Sequence, residues 1–244
     1  MRLPRIYSDQ DLAVNTQVVL EEAASRHLCQ VLRCKAGQPL VLFNGRGGEY
    51  SAVLEQADHR ACRVSIDVFD PVNRESPLKI HLGLALSKGD RFDWALQKST
   101  ELGVFAVYPL TTERTEMHLK EERMNKKMLH WERLITGSCE QSQRNIPPRL
   151  HSPMPLGQWL SLERQGPGFF LQPGAENSAV VPGAQAVESA HLAIGPEGGF
   201  SQAEYALALA RGFVGMPLGP RILRTETAPV AAISVLQWLW GDLS

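Results

Sequence analysis

The feature that most restricts what this chain can become is a change of rhythm near residue 78. Beyond it, short apolar segments alternate with stretches of helical period. Residues 79–86, 104–110, 169–171, 191–194 and 214–218 read as strands. Residues 91–102 place Phe92, Ala95, Leu96, Ser99 and Leu102 on one face, and Gly103 stands where a helix C-cap glycine belongs. A longer amphipathic run over 121–139 carries Met124, Met128, Trp131, Leu134 and Ile135. Ser201-Gln202-Ala203-Glu204 is a capping box opening a helix that stops near Gly212. Residues 229–240 form a nearly all-apolar helix with Pro229 in its first turn. Strands that are apolar throughout and joined by helices predict an α/β fold, a mostly parallel sheet flanked by helices on both faces.

The residues before the change of rhythm read differently. Segments 17–20, 40–43, 50–54 and 62–68 are rich in β-branched or aromatic residues, and Asn44-Gly45-Arg46-Gly47-Gly48 between two of them is a hairpin signal. Residues 23–32 read as one helix. The simplest packing is a β-barrel with a single helix. Two prolines in the polar stretch 70–77 mark a linker, so two domains are expected, 1–72 and 73–244.

Composition narrows the setting. No run reaches the roughly 18 to 20 apolar residues that cross a bilayer, and the N-terminus lacks the apolar stretch of a signal peptide. A cytoplasmic protein without membrane contact is expected. Four cysteines without a C-x-x-C pair and seven histidines without a metal motif predict no metal site. The net charge of −1 gives no global basic footprint for RNA, so phosphate contacts must come from local patches. Arg2 and Arg5 form one candidate patch, Arg26, Arg33 and Lys35 another, and 120–127 a third.

Chemistry concentrates in two loops. Ile194-Gly195-Pro196-Glu197-Gly198-Gly199-Phe200-Ser201 follows a buried strand and precedes a capped helix, the position at which parallel sheets bind ligands. It fits neither the dinucleotide fingerprint nor a P-loop. Glu197 inside it would repel a pyrophosphate, so a neutral adenosine or a cationic group suits it better. That argument excludes ligands without identifying one, and a merely tight strand-to-helix turn would read the same. Leu218-Gly219-Pro220-Arg221-Ile222-Leu223-Arg224-Thr225-Glu226-Thr227-Ala228 again joins a strand to a helix. Arg224 and Glu226 beside that helix start are candidate reactive groups, with a surface ion pair as the plain alternative. A third polar cluster, residues 140–148, ends the long helix and offers Arg144 to a phosphate.

The joint pattern resembles the RsmE family, the 16S rRNA uridine N3-methyltransferases of the SPOUT superfamily. The similar stretches run nearly end to end: Met1-Arg2-Leu3-Pro4-Arg5-Ile6-Tyr7, Phe43-Asn44-Gly45, residues 97–104, Glu140-Gln141-Ser142 with Arg144, and the two late loops. The resemblance implies a PUA-like N-terminal barrel, a knotted SPOUT-type sheet with a C-terminal trefoil knot, and a homodimer. It also implies S-adenosylmethionine as cofactor, held by Leu171, Ile194, Gly195, Pro196, Glu197, Gly198, Gly199, Leu218, Gly219, Ile222, Leu223, Arg224, Thr227 and Ala228. The expected substrate is one uridine of 16S rRNA in the small ribosomal subunit, contacted by Arg2, Arg5, Arg26, Arg33 and Arg144. Arg224 is expected to stabilise charge on the uracil oxygens, and Glu226 or a water to take the N3 proton. A catalytically silent RNA-binding assembly protein that keeps the pocket is the alternative. A nucleotide-dependent transferase is disfavoured by the missing P-loop lysine.

Overall fold

The computed structural model describes residues 3–117, 120–171 and 186–244. The chain divides into two compact units, the first made of Met1–Glu75 with Cys139–Pro147, the second of Ser76–Ser138 with Pro148–Ser244.

The first unit is a five-stranded sheet of β1 (Arg5–Tyr7), β2 (Thr16–Val19), β3 (Pro39–Phe43), β4 (Glu49–Gln56) and β5 (Arg63–Asp70). Their order is β1-β3-β4-β5-β2; β1 pairs β3 in parallel and the remaining ladders are antiparallel. Ile6, Leu42, Leu54 and Val64 alternate inward and are fully buried together with Leu28. The expected hairpin joins β3 to β4, with positive φ at Gly45, Gly47 and Gly48. The single helix expected over 23–32 is instead a short α1 (Glu22–Arg26) that widens into a π-helical turn, His27–Val31. Residues 139–147 are fastened to this unit by buried polar contacts. The Arg5 guanidinium donates to Asn145 Oδ1 at 2.6 Å and pairs with Glu49. Arg144 Nε donates to Glu75 Oε2 at 3.0 Å, and Asn145 Nδ2 to the Val72 carbonyl at 3.0 Å.

The second unit carries the alternating pattern. Its elements are β6 (Lys79–Ala85), α2 (Arg91–Glu101), β7 (Ala106–Thr111), α3 (Glu121–Ser142), β8 (Arg149–Leu150), β9 (Met154–Pro155), α4 (Leu156–Trp159), β10 (Gly168–Phe170), β11 (Ser189–Ile194), α5 (Gln202–Ala210), β12 (Phe213–Gly215) and α6 (Thr227–Trp240). The last turn of α3 belongs to the first unit. The strands lie in the order β12-β10-β11-β6-β7-β8, with β9 also on β7, and every ladder is parallel. Leu110, Phe170, Ala193 and Phe213 pack with Leu156, Trp159 and Ala208 of α4 and α5, and α2 packs against α6. Gly83 permits that closeness, since a Cβ there would lie 2.8 Å from Leu110 and 3.0 Å from Trp159.

Parallel pairing also aligns an unusual row of rings. His191 of β11 stands directly beside His81 of β6 in register, their rings stacked at 4.5 Å, and Tyr108 stacks on His151 at 4.0 Å. Burial, followed by the charge of a protonated His81, pushes the His191 imidazole down to about 3. Burial likewise lowers His81 and His151.

Candidate active site

Three neighbouring strands, β12, β10 and β11, run in the same direction, so their C-terminal ends open on one edge of the sheet. Beyond β11 the chain turns tightly: Gly199 N donates to the Pro196 carbonyl at 2.8 Å, and Gly199 sits at φ +64°. A Cβ on Gly195 would lie 3.2 Å from the Phe200 ring. Ser201 then caps α5 as its motif predicts, Ser201 Oγ accepting from Glu204 N at 3.1 Å and Glu204 Oε2 accepting from Ser201 N at 2.8 Å. Beyond β10, Leu171 N donates to the Ala193 carbonyl at 3.0 Å, and after β12 Met216 N donates to the Phe170 carbonyl at 3.1 Å. These bonds hold three loop roots side by side. The last loop turns at Gly219, φ +82°, and enters α6 with Thr227 N and Ala228 N both donating to the Arg224 carbonyl at 2.9 Å.

The loops enclose a concavity of about 680 Å³, within the ~300–1,000 Å³ typical of small-molecule sites. Its wall includes Leu171, Ile194, Gly195, Pro196, Glu197, Gly198, Gly199, Leu218, Gly219, Ile222, Leu223, Arg224, Glu226 and Ala228. Of the residues expected to hold the cofactor, Thr227 alone stands outside the lining, where it opens α6. Sequence reasoning passed over Arg91, Arg114, Phe200, Met216, Pro217, Arg221 and Thr225, which also line it. Five of them lie inside or beside the quoted loops. Arg91 opens α2 and Arg114 lies in the turn after β7, both brought here by strand order, and no local motif marks them.

Two carboxylates give the cavity its character. Glu197, expected to select against phosphate, is engaged by Arg91 Nη1 at 2.8 Å and by Lys88 N at 3.3 Å. Its charge is thus largely answered, and the selecting role passes to Glu226. Glu226 Oε2 is buried without a hydrogen-bond partner among the described residues, and its other oxygen lies 4.0 Å from Arg224 Nη1. A buried orphan acceptor costs ~1–3 kcal/mol unless a ligand supplies a donor. An adenosine with hydroxyl and amino donors, bearing a cationic sulfur, fits the buried Glu226 oxygen. Arg224 itself is 81% exposed at its side chain, at the mouth of the cavity.

Two further contacts tie the first loop to the turn after β7. Arg114 Nη1 donates to the Gly198 carbonyl at 2.6 Å, and Glu113 N donates to Glu204 Oε1 at 2.9 Å. Gly198 lies close against this arginine: a Cβ there would stand 3.3 Å from both Cβ and Cδ of Arg114, so the Arg114 side chain would have to shift by a few tenths of an ångström.

The arginines expected to contact RNA fall into three groups. Arg5 and Arg144 are 7% and 5% exposed and committed to the internal pairs described above, so neither presents a free guanidinium to a phosphate. Arg26 and Arg33 are exposed, Arg26 pairing with Glu22 one turn away and Arg33 sitting at φ +54°. Arg2 lies outside the described residues. Among the described residues no group of three or more metal-ligating side chains converges, and no helix is long and apolar enough to cross a membrane.

The comparisons with known proteins agree with this geometry. A family described as an RNA methyltransferase domain matches residues 74–237, and one described as an RNA methyltransferase PUA domain matches residues 20–67. The chain is 34% identical to the ribosomal RNA small subunit methyltransferase E of Buchnera aphidicola, covering 100% of this chain and 99% of that protein. A methyltransferase structure from Legionella pneumophila with bound SAM is 42% identical, with a TM-score of 0.95 over 100% of both chains. The ribosomal RNA small subunit methyltransferase E of Neisseria gonorrhoeae, bound to S-adenosyl methionine, is 33% identical with a TM-score of 0.91, again over 100% of both chains. From its PUA-like first unit to its parallel SPOUT-type sheet, the chain belongs to the ribosomal RNA small subunit methyltransferase E family.

Proposed function

We propose that this protein transfers the methyl group of S-adenosylmethionine to N3 of one uridine in the 16S rRNA of the small ribosomal subunit. The observation that carries the proposal is the buried Glu226 oxygen, unpartnered among the described residues, in a cavity built by the two late loops. The relatives named as small-subunit rRNA methyltransferases, and the two related structures holding the methyl donor, support it. Leu171 with the lining residues of the two loops would form the donor site, within the trefoil knot that the family resemblance implies.

When bound, the donor supplies an electrophilic methyl carbon on a sulfonium. The protein's part is to hold the acceptor in line with it and to manage one proton. N3 of uracil is a weakly acidic imide nitrogen, so its lone pair becomes a nucleophile as the N–H proton leaves. Arg224 at the cavity mouth donates to the uracil oxygens while negative charge gathers there, and Glu226 Oε2 or a water receives the proton. The new bond joins N3 to the methyl carbon, and the carbon–sulfur bond breaks with its electron pair on sulfur. The base must be unpaired for this geometry, since pairing occupies N3. Arg26 and Arg33 are the exposed candidates of the first unit for phosphate contact.

A homodimer and a cytoplasmic setting belong to the same proposal. Trp238, Leu239 and Trp94, on the packed helices α6 and α2, are 63%, 42% and 43% exposed, an apolar surface suited to a second copy.

The test incubates the protein with labelled S-adenosylmethionine and small subunits lacking the modification. Label on a uridine, mapped by a reverse-transcription stop, is the expected result. RNA binding without transfer would leave the silent assembly protein in its place. Glu226→Gln and Arg224→Ala are each expected to lower single-turnover transfer by about 10²-fold or more at saturating donor, the scale of a lost acid–base or charge-stabilising group. Unchanged transfer removes both from their roles.

A further inference from the structure

A second concavity, about 840 Å³, adjoins the donor cavity, and four residues line both: Arg91, Arg114, Glu197 and Gly198. It opens between the turns that follow β6 and β7, the next two strands along the sheet from β11. The partition between the two spaces consists of the Arg91–Glu197 ion pair and the Arg114–Gly198 hydrogen bond. A methyl acceptor must come within about 3–3.5 Å of the transferable carbon. It therefore has to enter from a space that borders the donor cavity, and this one shares four lining residues with it.

The chemistry of the wall says what kind of acceptor it takes. Lys88 pairs with Glu116 and Arg91 with Glu197, so two of the three cations are answered by carboxylates. Arg114 differs: among the described residues its recorded partner is the Gly198 carbonyl, engaged by Nη1. A guanidinium has five N–H donors in a planar fork, and one bond leaves the rest for acceptor oxygens. Asp90, Glu113 and Glu116 in the same wall disfavour a bare polyanion. A neutral base with carbonyl acceptors, attached to a single phosphodiester chain, suits a wall of both signs. The Lys88–Glu116 pair is solvent-exposed on both sides, 64% and 71%, and such pairs are weak enough for a phosphate to displace the carboxylate.

We propose that this second concavity receives the acceptor, an unpaired pyrimidine ribonucleotide within its RNA strand, and that Arg114 is the positioning residue that holds one base carbonyl at the boundary with the donor cavity, leaving the other to Arg224. Lys88 takes the adjoining phosphate, and Glu116 competes with it. This assignment rests on the methyl-transfer reading given above and adds the place of the second substrate.

The experiment uses the full chain with two readouts, the affinity for a short uridine-containing oligoribonucleotide by fluorescence anisotropy and the KM for unmodified small subunits, beside donor affinity by calorimetry. Arg114→Ala is expected to weaken oligonucleotide binding and to raise KM by about tenfold, and Arg114→Lys to recover only part of that loss because it keeps the charge but not the fork. Lys88→Ala is expected to weaken RNA binding less and to reduce its salt dependence. Glu116→Gln should act in the opposite direction, tightening RNA two- to fivefold. If folded Arg114 and Lys88 variants bind RNA with unchanged affinity and KM, or if only donor affinity changes, the assignment is overturned. A wild-type protein that moves no methyl group at all would instead sink the enzymatic reading. Should Arg114→Ala fail to fold, an unchanged or weakened RNA affinity in Glu116→Gln overturns the assignment by itself.

Discussion

Gly48 shows how single positions carry this fold. It sits at φ +65° beside β4, and a Cβ there would lie 2.5 Å from the Phe69 ring and 2.6 Å from the Asp70 carbonyl. The ring could swing aside, but the backbone oxygen cannot. Gly48→Ala is therefore expected to cost roughly 1–3 kcal/mol of stability, combining overpacking with an unfavourable φ. A lowered urea midpoint with an unchanged slope would register it, and an unchanged midpoint would refute the steric account. Glycines of this kind are legible because the turn type is written in adjacent residues. The arginines are the contrary case. Arg5 and Arg144 look like surface cations in any window of sequence, and what hides them lies far along the chain, at Glu49 and Glu75. Burial of a charge is a tertiary fact, so no local pattern announces it.

Among the elements, the ring row of the second unit makes the sheet sensitive to acid. His81, His151 and His191 all titrate below the ordinary imidazole range, His191 at about 3. An unfolded histidine takes up its proton near pH 6.5. The native state then binds fewer protons than the unfolded state at every pH between that value and about 3. Stability from this source is complete above pH 6.5 and is lost progressively as pH falls. We expect the melting temperature to decline from pH 7 to pH 4.5, and His191→Phe, which keeps the stacked ring, to decline less steeply. Parallel slopes for the two proteins would show that the row has no such role. The strands and helices of this unit were largely readable, because apolar runs, caps and terminating glycines are local signals. The strands β8 and β9 were not, being two residues each among prolines. Nor was the π-helical turn at His27–Val31, whose residues carry an ordinary helical pattern.

At the scale of the molecule, the first unit is discontinuous. A fragment ending at Glu75 would lack Arg144 and Asn145, the partners of Glu75 and Arg5. Breaking a buried ion pair from one side costs ~3–5 kcal/mol, comparable to the whole stability of a domain this small. The isolated fragment 1–75 is expected to give poorly dispersed amide resonances and no cooperative melt. Appending residues 139–147 through a flexible linker should restore both. A well-dispersed spectrum from the bare fragment would show that the returning segment is dispensable. The linker prolines mark where the local pattern changes, and they carry no record of a segment that comes back after some sixty residues. The two loops of the active site were legible for the opposite reason: each is one continuous stretch of glycine, proline and capping residues.

Glu204 holds the amide of Ser201 with one carboxylate oxygen and that of Glu113 with the other. Two turns about ninety positions apart are thereby fixed to a single rigid post. Neither can drift alone during divergence of the sequence: an insertion in one would drag the Gly195–Gly199 turn and the neighbouring Arg114 out of alignment together.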